Sequence, residues 1–366
     1  MRTKSLLILC LLIGNCICTL ANERKIVNLS GEGWFLWQDK EADWRNEEPH
    51  FNYVEALKHP IAQPSQGWEV LMSPQALPVS VPGTAEEYLQ TIPGPEGDIL
   101  GVTWWTRKVD IPHFKKGQKV VLRFSAIRLR AEIFINRQLA DCQVIDNVAF
   151  ETDITPFVKS GETCELAVRI TDAGGNHDWR DSRTIPWKGK MLPPGHGFGG
   201  VTGEVSLKIL PEVHVADIYM QNTPEIKKVN ANILVHNASS KSIKRDVHLT
   251  IHEWKKPEKI LCTYELKNKT LKPGDNELSV PIIADNAQLW SVETPNLYIC
   301  QVTLGKGKKT FDQSEQRFGF RWFEASGIGN DAVFRLNGKR IVLRSAISWS
   351  FWPVNGIFPT KELAKR

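Results

Sequence analysis

The stretch KVVLRFSAIRLRAEIFI, residues 119–135, contains the pattern that decides the fold. In KVVLRF (119–124) and AEIFI (131–135), apolar and polar side chains alternate, and this period of two is typical of half-buried strands. The same alternation recurs in ELAVRI (165–170) and EVSLKI (204–209). Gly, Pro, Asn and Asp separate these segments, as they do where strands are joined by turns. Many short strands at this spacing predict a sandwich or jelly roll.

A second series of strands follows Pro211. Its predicted members are Val213–Met220, Val229–Asn237, Asp246–Glu253, Lys259–Leu266, Asn276–Pro281, Tyr298–Leu304 and Lys309–Phe320. Six or seven strands in about 110 residues have the size and rhythm of an immunoglobulin-like sandwich. We therefore expect a domain boundary near Pro211-Glu212.

The pattern changes after Asp331. Val333–Leu336 is predicted to form a short strand that returns as Arg340–Leu343, because Asn337-Gly338 is a strong signal for a two-residue hairpin turn. Further on, Thr360 is a suitable N-cap for a helix.

Composition and charge narrow the class of protein. The chain has 366 residues, of which 42% are hydrophobic and 24% are charged, as is ordinary for two or three globular domains. The formal net charge of +5 is small and scattered, so we expect no nucleic-acid partner. No segment after residue 21 is apolar enough to predict a membrane span. The sequence contains no P-loop, HExxH, GxSxG or dinucleotide-binding motif.

Residues 1–21 have the features of a secretory signal peptide. Arg2 and Lys4 give a positively charged start, residues 6–13 form a short apolar run, and small residues lead to a cleavage site after Ala21. We therefore expect a periplasmic or extracellular location. Cys16 and Cys18 in this segment leave a lipoprotein anchor as the alternative, although the residues before them fit a lipobox poorly.

Four cysteines follow the predicted signal peptide: Cys142, Cys164, Cys262 and Cys300. None has the close spacing of a zinc site. An exported protein could oxidise Cys142 with Cys164 and Cys262 with Cys300. We favour four buried free thiols that pack as small apolar side chains.

Short motifs along both strand series resemble those of a known family. They are Val81-Pro82-Gly83-Thr84, GVTWWTRK (101–108), FETDIT (150–155), GGVTGEV (199–205), RFGFR (317–321) and FRLNGK (334–339). In this order they resemble the amino-terminal part of bacterial family 2 glycoside hydrolases, the group of β-galactosidases, β-mannosidases and β-glucuronidases. The family's FxLNGK hairpin leads into a catalytic (β/α)8 barrel. LRSAISW (343–349) departs from the family's LRGxNxH pattern, which puts the galactosidase-like sugar contacts of that loop in question.

The resemblance implies a mostly β protein. After the signal peptide (1–21) it places a jelly-roll sugar-binding-type domain at 22–212, an immunoglobulin-like β-sandwich at 213–325 and a truncated first segment of a TIM barrel at 326–366. A whole barrel needs about 250 residues, and the family's two catalytic Glu residues lie on its late strands. We therefore expect no catalytic residue in this chain. It would be the amino-terminal part of an exported β-glycoside hydrolase, inactive by itself and without a cofactor, whose partners are a β-linked glycan and a missing barrel segment.

The long polar loop at 174–203 is the candidate sugar site. It contains few strand-forming residues and many His, Asp, Arg and Trp side chains. The family's corresponding loop touches the bound sugar, and this implies substrate contacts at Asp178, Arg180, Asp181 and Trp187. Carboxylates accept hydrogen bonds from sugar hydroxyls, and a Trp face covers the apolar side of a pyranose. The alternative is a loop held by its own Asp–Arg pairs, with Trp187 buried against the sandwich.

Other aromatic residues are weaker candidates. Trp349 and Trp352 follow the predicted first barrel strand, at the end where barrel enzymes place their chemistry, and we include them as substrate-binding residues. Packing under the neighbouring sandwich is the alternative for Trp352. Near the start of the chain, Trp34 is expected in the core, and Trp44 is left open between the core and an exposed platform for polysaccharide.

Two further alternatives concern metal and function. His177, Asp178, Asp181 and His196 match no familiar ligand spacing, so we expect no metal site. The chain could instead be a stand-alone carbohydrate-binding or scaffold protein, because a jelly roll joined to an immunoglobulin-like module is a common binding architecture.

Overall fold

The computed structural model describes residues 24–48, 52–89, 99–173, 185–192, 198–307 and 309–345. These residues form mainly antiparallel strands, with two short helices, α1 (Tyr53–Ala56) and α2 (Ala85–Leu89). Single 3-10 turns lie at Trp44–Asn46, Trp68–Met72, Thr155–Phe157 and Gly329–Asp331. None of the helices in this part of the chain is both long enough and apolar enough to cross a bilayer.

The first fourteen strands form two facing sheets and a small hairpin, which we call the first sandwich. They are β1 (Lys25–Asn28), β2 (Gly31–Asp39), β3 (Leu77–Val81), β4 (Gly83–Thr84), β5 (Gly101–Asp110), β6 (Lys119–Phe124), β7 (Arg128–Ile135), β8 (Gln138–Asp146), β9 (Phe150–Asp153), β10 (Thr163–Asp172), β11 (Ile185–Trp187), β12 (Lys190–Leu192), β13 (Gly200–Val201) and β14 (Val205–Leu210). The smaller sheet has the order β1-β14-β6-β9. The larger has the order β3-β2-β5-β10-β7-β13-β4, with β8 also paired to β7.

The core of the first sandwich has two layers. Between the two sheets lie apolar side chains such as Trp34, Leu122 and Ile133, and the complete burial of Trp34 confirms its predicted core position. A second layer lies on the outer face of the larger sheet, where the chain between β2 and β3 packs against Trp104 and Phe134. The strand AEIFI was predicted to be half-buried, but all eight residues of β7 are buried. On its outer face the second layer covers Phe134, and Arg128, Arg130 and Glu132 are buried in ion pairs.

Strands β15 to β21 form the second sandwich. They are β15 (Val213–Asn222), β16 (Lys228–Asn237), β17 (Ile243–Glu253), β18 (Lys256–Leu271), β19 (Gly274–Ile283), β20 (Tyr298–Lys306) and β21 (Lys309–Phe318). A sheet with the order β15-β16-β19 faces a sheet with the order β18-β17-β20-β21. Alternate residues of both sheets, including Val229, Ile233 and Leu249, fill one apolar core.

A three-stranded sheet follows: β22 (Phe323–Ser326), β23 (Val333–Leu336) and β24 (Lys339–Ile341). Asn337 and Gly338 connect the last two strands with φ angles of 51° and 78°, as a two-residue hairpin turn requires, and this confirms the predicted hairpin. The Asn337 side chain also donates to the carbonyl of Trp290 at 2.9 Å, which fixes the turn to the second sandwich. The helix predicted around Thr360 lies outside the described residues.

The four cysteines of the described residues are free thiols, as predicted. Cys142, Cys164 and Cys300 are buried, whereas Cys262 is half-buried. Burial raises the pKa of Cys142 and of Cys300 to about 12. Cys262 and Cys300 pair with Ile251 from opposite sides, two strand spacings or about 10 Å apart, which is too far for a disulfide.

Candidate functional site

The outer face of the larger sheet is divided into an aromatic half and a charged half. Strand register places five side chains in one row across β2, β5, β10, β7 and β8: Trp37, Trp104, Arg169, Glu132 and Cys142. The period of two in each strand explains why these residues share a face. The second core layer covers the aromatic half, so the charged half is the part that can present polar chemistry.

Four ionised side chains form a cluster in the charged half. Arg169 donates from Nη1 to Glu132 at 2.6 Å and to Glu47 at 2.9 Å, and from Nη2 to Glu47 at 2.5 Å. Arg130 lies 3.1 Å from both carboxylates. We call these four residues the charge cluster, and its two positive and two negative charges balance.

Because the arginines of the charge cluster are buried, their positive charges require nearby negative charges. The side chains of Arg169 and Arg130 are 1% and 2% exposed, and that of Glu47 is 25% exposed. Burial disfavours the charge of Arg169, but the carboxylates of Glu132 and Glu47 outweigh it and raise the pKa of Arg169 above its ordinary value. Arg169 therefore stays charged in its buried position.

The hairpin β11–β12 closes one side of the charge cluster. The indole Nε1 of Trp187 donates to the carbonyl of Trp44 at 3.1 Å, and the two rings meet edge to face with centroids 5.6 Å apart. The guanidinium of Arg130 lies 5.5 Å from the centre of the Trp187 ring. Lys188 donates to the carbonyl of Asn46 at 2.5 Å. The hairpin therefore holds the segment that carries Glu47.

A cavity of about 270 Å³ opens beside the cluster, and we call it the charged pocket. Its charged or titratable lining residues are Glu47, Glu48, His59, Arg130, Glu132 and Lys188. Carboxylates, amines and guanidinium groups at fixed positions can donate to and accept from a ligand rich in hydroxyls. A larger cavity of about 620 Å³ lies between the second sandwich and β23–β24, but none of its charged lining residues is buried, whereas Arg130 and Glu132 are buried in the charged pocket. Pre-positioned charge makes the smaller cavity the stronger candidate.

The charged pocket brings two carboxylates close together. Glu47 and Glu132 accept from the same Nη1 atom of Arg169 at 2.9 Å and 2.6 Å, so their accepting oxygens lie no more than about 5.5 Å apart, and the carboxyl groups of a retaining glycosidase are roughly 5–5.5 Å apart. Both carboxylates also accept from Arg130. A general acid must carry a proton to the leaving oxygen, and two guanidinium donors on each carboxylate occupy the positions where that proton would lie. This geometry favours a structural or binding role for the pair.

The predicted site residues lie mostly elsewhere. Five of them fall outside the described residues: Asp178, Arg180, Asp181, Trp349 and Trp352. Trp187 is described, and only 2% of it is exposed. Its burial agrees with the alternative in which Trp187 packs against the sandwich. Its contact with a sugar stays a prediction that would require the hairpin to move.

Sequence reasoning missed the charge cluster. Arg130, Glu132 and Arg169 stand at polar positions of strongly apolar strands, and such positions are ordinarily read as solvent-facing. Complementary charges on neighbouring strands were the available signal. No such signal marked Glu47, because it lies in a loop 83 residues before Arg130 in the chain.

Comparisons with known proteins identify the lineage. The sequence model of Glycosyl hydrolases family 2 matches residues 213–321. A putative β-glucuronidase of Formosa agariphila is 27% identical over 246 residues, which are 66% of this chain and 27% of that protein. A β-galactosidase of Thermoanaerobacter pseudethanolicus is 26% identical over 272 residues, 74% of this chain and 35% of that protein. The chain thus spans about a quarter to a third of these relatives.

Solved structures give the same result for the fold. Bacteroides uniformis β-glucuronidase 2, covalently bound to cyclophellitol-6-carboxylate aziridine, has a TM-score of 0.65 and 22% identity, over 92% of this chain and 37% of that one. A putative β-galactosidase from Bacteroides fragilis has a TM-score of 0.67 and 18% identity, over 93% of this chain and 47% of that one. Together with the sequence matches, these likenesses support a protein of glycosyl hydrolase family 2, whose sequence model matches the second strand series.

Proposed function

We propose that these 366 residues are the non-catalytic β portion of an exported retaining β-glycoside hydrolase. In this proposal the first sandwich is a jelly-roll sugar-binding-type domain (22–212), the second is immunoglobulin-like (213–325), and residues 326–366 begin a (β/α)8 barrel. The substrate is a terminal β-linked sugar. The carboxylates that cleave the glycosidic bond are supplied from outside these residues.

The observation that carries the proposal is the state of the carboxylates of Glu47 and Glu132. Family membership implies glycoside chemistry, and that chemistry requires an acid and a nucleophile with separate environments. Glu47 and Glu132 instead share two arginines. They support the site and do not perform the reaction.

A hydrolysis assay tests this directly. The purified chain is incubated with aryl β-glycosides of glucuronic acid, galactose, mannose and glucose, and release of the aryl alcohol is followed. We expect no turnover above a blank prepared from the same host with an empty vector. Turnover that disappears in E47Q or E132Q would overturn the proposal, because it would place the chemistry in the charge cluster.

The charged pocket favours a second candidate, a carbohydrate-binding protein that acts without catalysis. Its fixed charges and the 270 Å³ cavity suit a single sugar unit. Calorimetric titration with methyl β-glycosides distinguishes the two. Micromolar binding that is lost in K188A would favour the second candidate, and millimolar or weaker binding favours the first.

Export rests on the predicted signal peptide, and localisation is part of the proposal. Expression of the whole chain in a Gram-negative host, followed by fractionation and amino-terminal sequencing, tests it. We expect periplasmic protein that begins at Asn22. Cytoplasmic protein that retains Arg2 and Lys4 would contradict export.

A further inference from the structure

The start of the described chain makes a contact that neither sandwich needs for its own core. Arg24 precedes β1, and β1 pairs with β14, the last strand of the first sandwich. The side chain of Arg24 nevertheless reaches the second sandwich. Its Nε donates to Asp312 Oδ1 at 2.9 Å, and its Nη2 donates to Asp312 Oδ2 at 2.8 Å.

The contact closes a ring of four hydrogen bonds. Nη2 of Arg24 also donates to the carbonyl of Val215 at 2.7 Å, and the amide of Val215 donates to Asp312 Oδ2 at 2.7 Å. Val215 lies at the bulge in β15, whereas Asp312 lies in β21, on the other sheet of the second sandwich. One guanidinium therefore connects the first sandwich to both sheets of the second.

Burial gives this ring its strength. The side chain of Asp312 is fully buried and that of Arg24 is 13% exposed. A bidentate guanidinium–carboxylate pair combines charge with fixed geometry. Removal of the arginine would leave a buried carboxylate with only a backbone donor among the contacts described here, and such uncompensated charges are strongly unfavourable.

The linker between the sandwiches lies beside this ring. It consists of Pro211 and Glu212, between the end of β14 and the start of β15. His214 contacts the carbonyl of Pro211 at 2.8 Å, and the amide of Ala238 donates to the carbonyl of Glu212 at 2.9 Å. These bonds attach the linker backbone to the second sandwich, and the Glu212 side chain lies beside Gly117 of the first. Arg24 supplies a connection that is separate from the linker.

We propose that Arg24 is an interdomain latch, which holds the two sandwiches at one angle by neutralising Asp312 and bonding Val215. Opening of the latch exposes Pro211 and the start of β15, which are buried on either side of the already exposed Glu212, while both cores stay folded. This inference concerns the junction alone and does not depend on the proposed function.

Hydrogen exchange and proteolysis of the whole chain test the latch. In R24A we expect at least about tenfold faster exchange in the peptide that contains Val215, and at least about tenfold faster cleavage by Glu-C protease after Glu212. R24K should give intermediate rates, because an ammonium keeps the charge but cannot make the bidentate contact. The matched control is R123A, which removes an exposed ion pair to Glu151 in the first sandwich, and its rates at the junction should equal those of the wild type.

Two results would overturn the proposal. One is equal exchange of the Val215 peptide in R24A and R123A. The other is exchange that accelerates equally across both cores in R24A and in R24K, since a general loss of stability is not the opening of a junction.

Discussion

Two buried arginines lie on the outer face of the larger sheet, where a β-sandwich ordinarily exposes polar side chains to solvent. Arg130 and Arg169 are tolerated there because Glu47 and Glu132 neutralise them. A buried ion pair adds little net stability over a well-packed apolar pair, but the loss of one member is costly. We therefore infer that the cluster determines where the loop that carries Glu47 packs on strands β7 and β10.

Substitution of Arg169 should be severe. R169M leaves Glu132 with one guanidinium in a buried site, and we expect the free energy of unfolding to fall by about 3–5 kcal/mol. Urea denaturation measures this difference. The matched control is R137M, which removes an exposed pair with Glu69 and should cost at most about 1 kcal/mol. Equal midpoints for the two variants would contradict the structural role of the cluster.

His214 gives the junction a dependence on pH. Burial lowers the pKa of His214, with Arg24 and His236 acting in the same direction and the Pro211 carbonyl and Asp312 opposing them. The unfolded chain keeps the ordinary value of about 6.5, so acid protonates the unfolded state first. Stability should therefore fall as the pH decreases from about 6.5 through the folded-state pKa, and should not change from this cause at higher pH.

The variant H214Q tests this sign. We expect the free energy of unfolding to change less between about pH 7 and pH 5 in H214Q than in the wild type. H248Q, which replaces a more exposed histidine, is the matched control. A steeper loss of stability in H214Q than in H248Q would show that the assigned direction is wrong.

At the scale of elements, the hairpin β11–β12 is held by its side chains more than by its own strands. It pairs only three residues on each side, and an isolated hairpin of this kind is marginal in water. Trp187 fills the space between Trp44 and Arg130, and Lys190 pairs with Glu48 at 3.2 Å. The hairpin and the segment before residue 49 therefore form one unit.

Loss of the Trp187 ring should release this unit. A buried Trp replaced by Ala removes about 3–5 kcal/mol of packing, and in W187A we expect trypsin to cleave after Lys188 and Lys190 at least about tenfold faster. Peptide mass mapping over a time course measures the rates. W254A truncates a Trp that is 42% exposed and should leave them unchanged. Equal cleavage in W187A and W254A would mean that Trp187 does not hold the hairpin.

At the scale of the whole molecule, the sequence predicts those strands and turns that depend only on residues close together in the chain. Alternation in KVVLRF and ELAVRI located β6 and β10, and Asn337-Gly338 located the last turn, because strand period and turn chemistry are local properties. Contacts between distant segments were not predictable in this way. Arg24 contacts Asp312, which is 288 positions further along the chain. The segment between β2 and β3 packs on the outer face of the larger sheet, although the alternation in the strands of that sheet predicts a solvent-facing surface there.

The candidate site shows the same limit. Of its predicted residues only Trp187 is described, and its indole is buried by Trp44, a partner that no periodicity indicates. Arg130, Glu132 and Arg169 were visible as charges in apolar strands, but their meeting with Glu47 depends on how a loop folds over the sheet. The sequence therefore showed which charged side chains are present, but it did not show which of them contact one another in the folded protein.

Covalent labelling tests the central claim most directly. A cyclophellitol aziridine bonds covalently to the β-glucuronidase 2 of Bacteroides uniformis, and that enzyme serves as the positive control. The purified chain is incubated with aziridines of glucuronate, galactose and mannose configuration, and its intact mass is measured. Our account predicts an unchanged mass, because Glu47 and Glu132 are held by Arg130 and Arg169. One equivalent of label on either glutamate would contradict it.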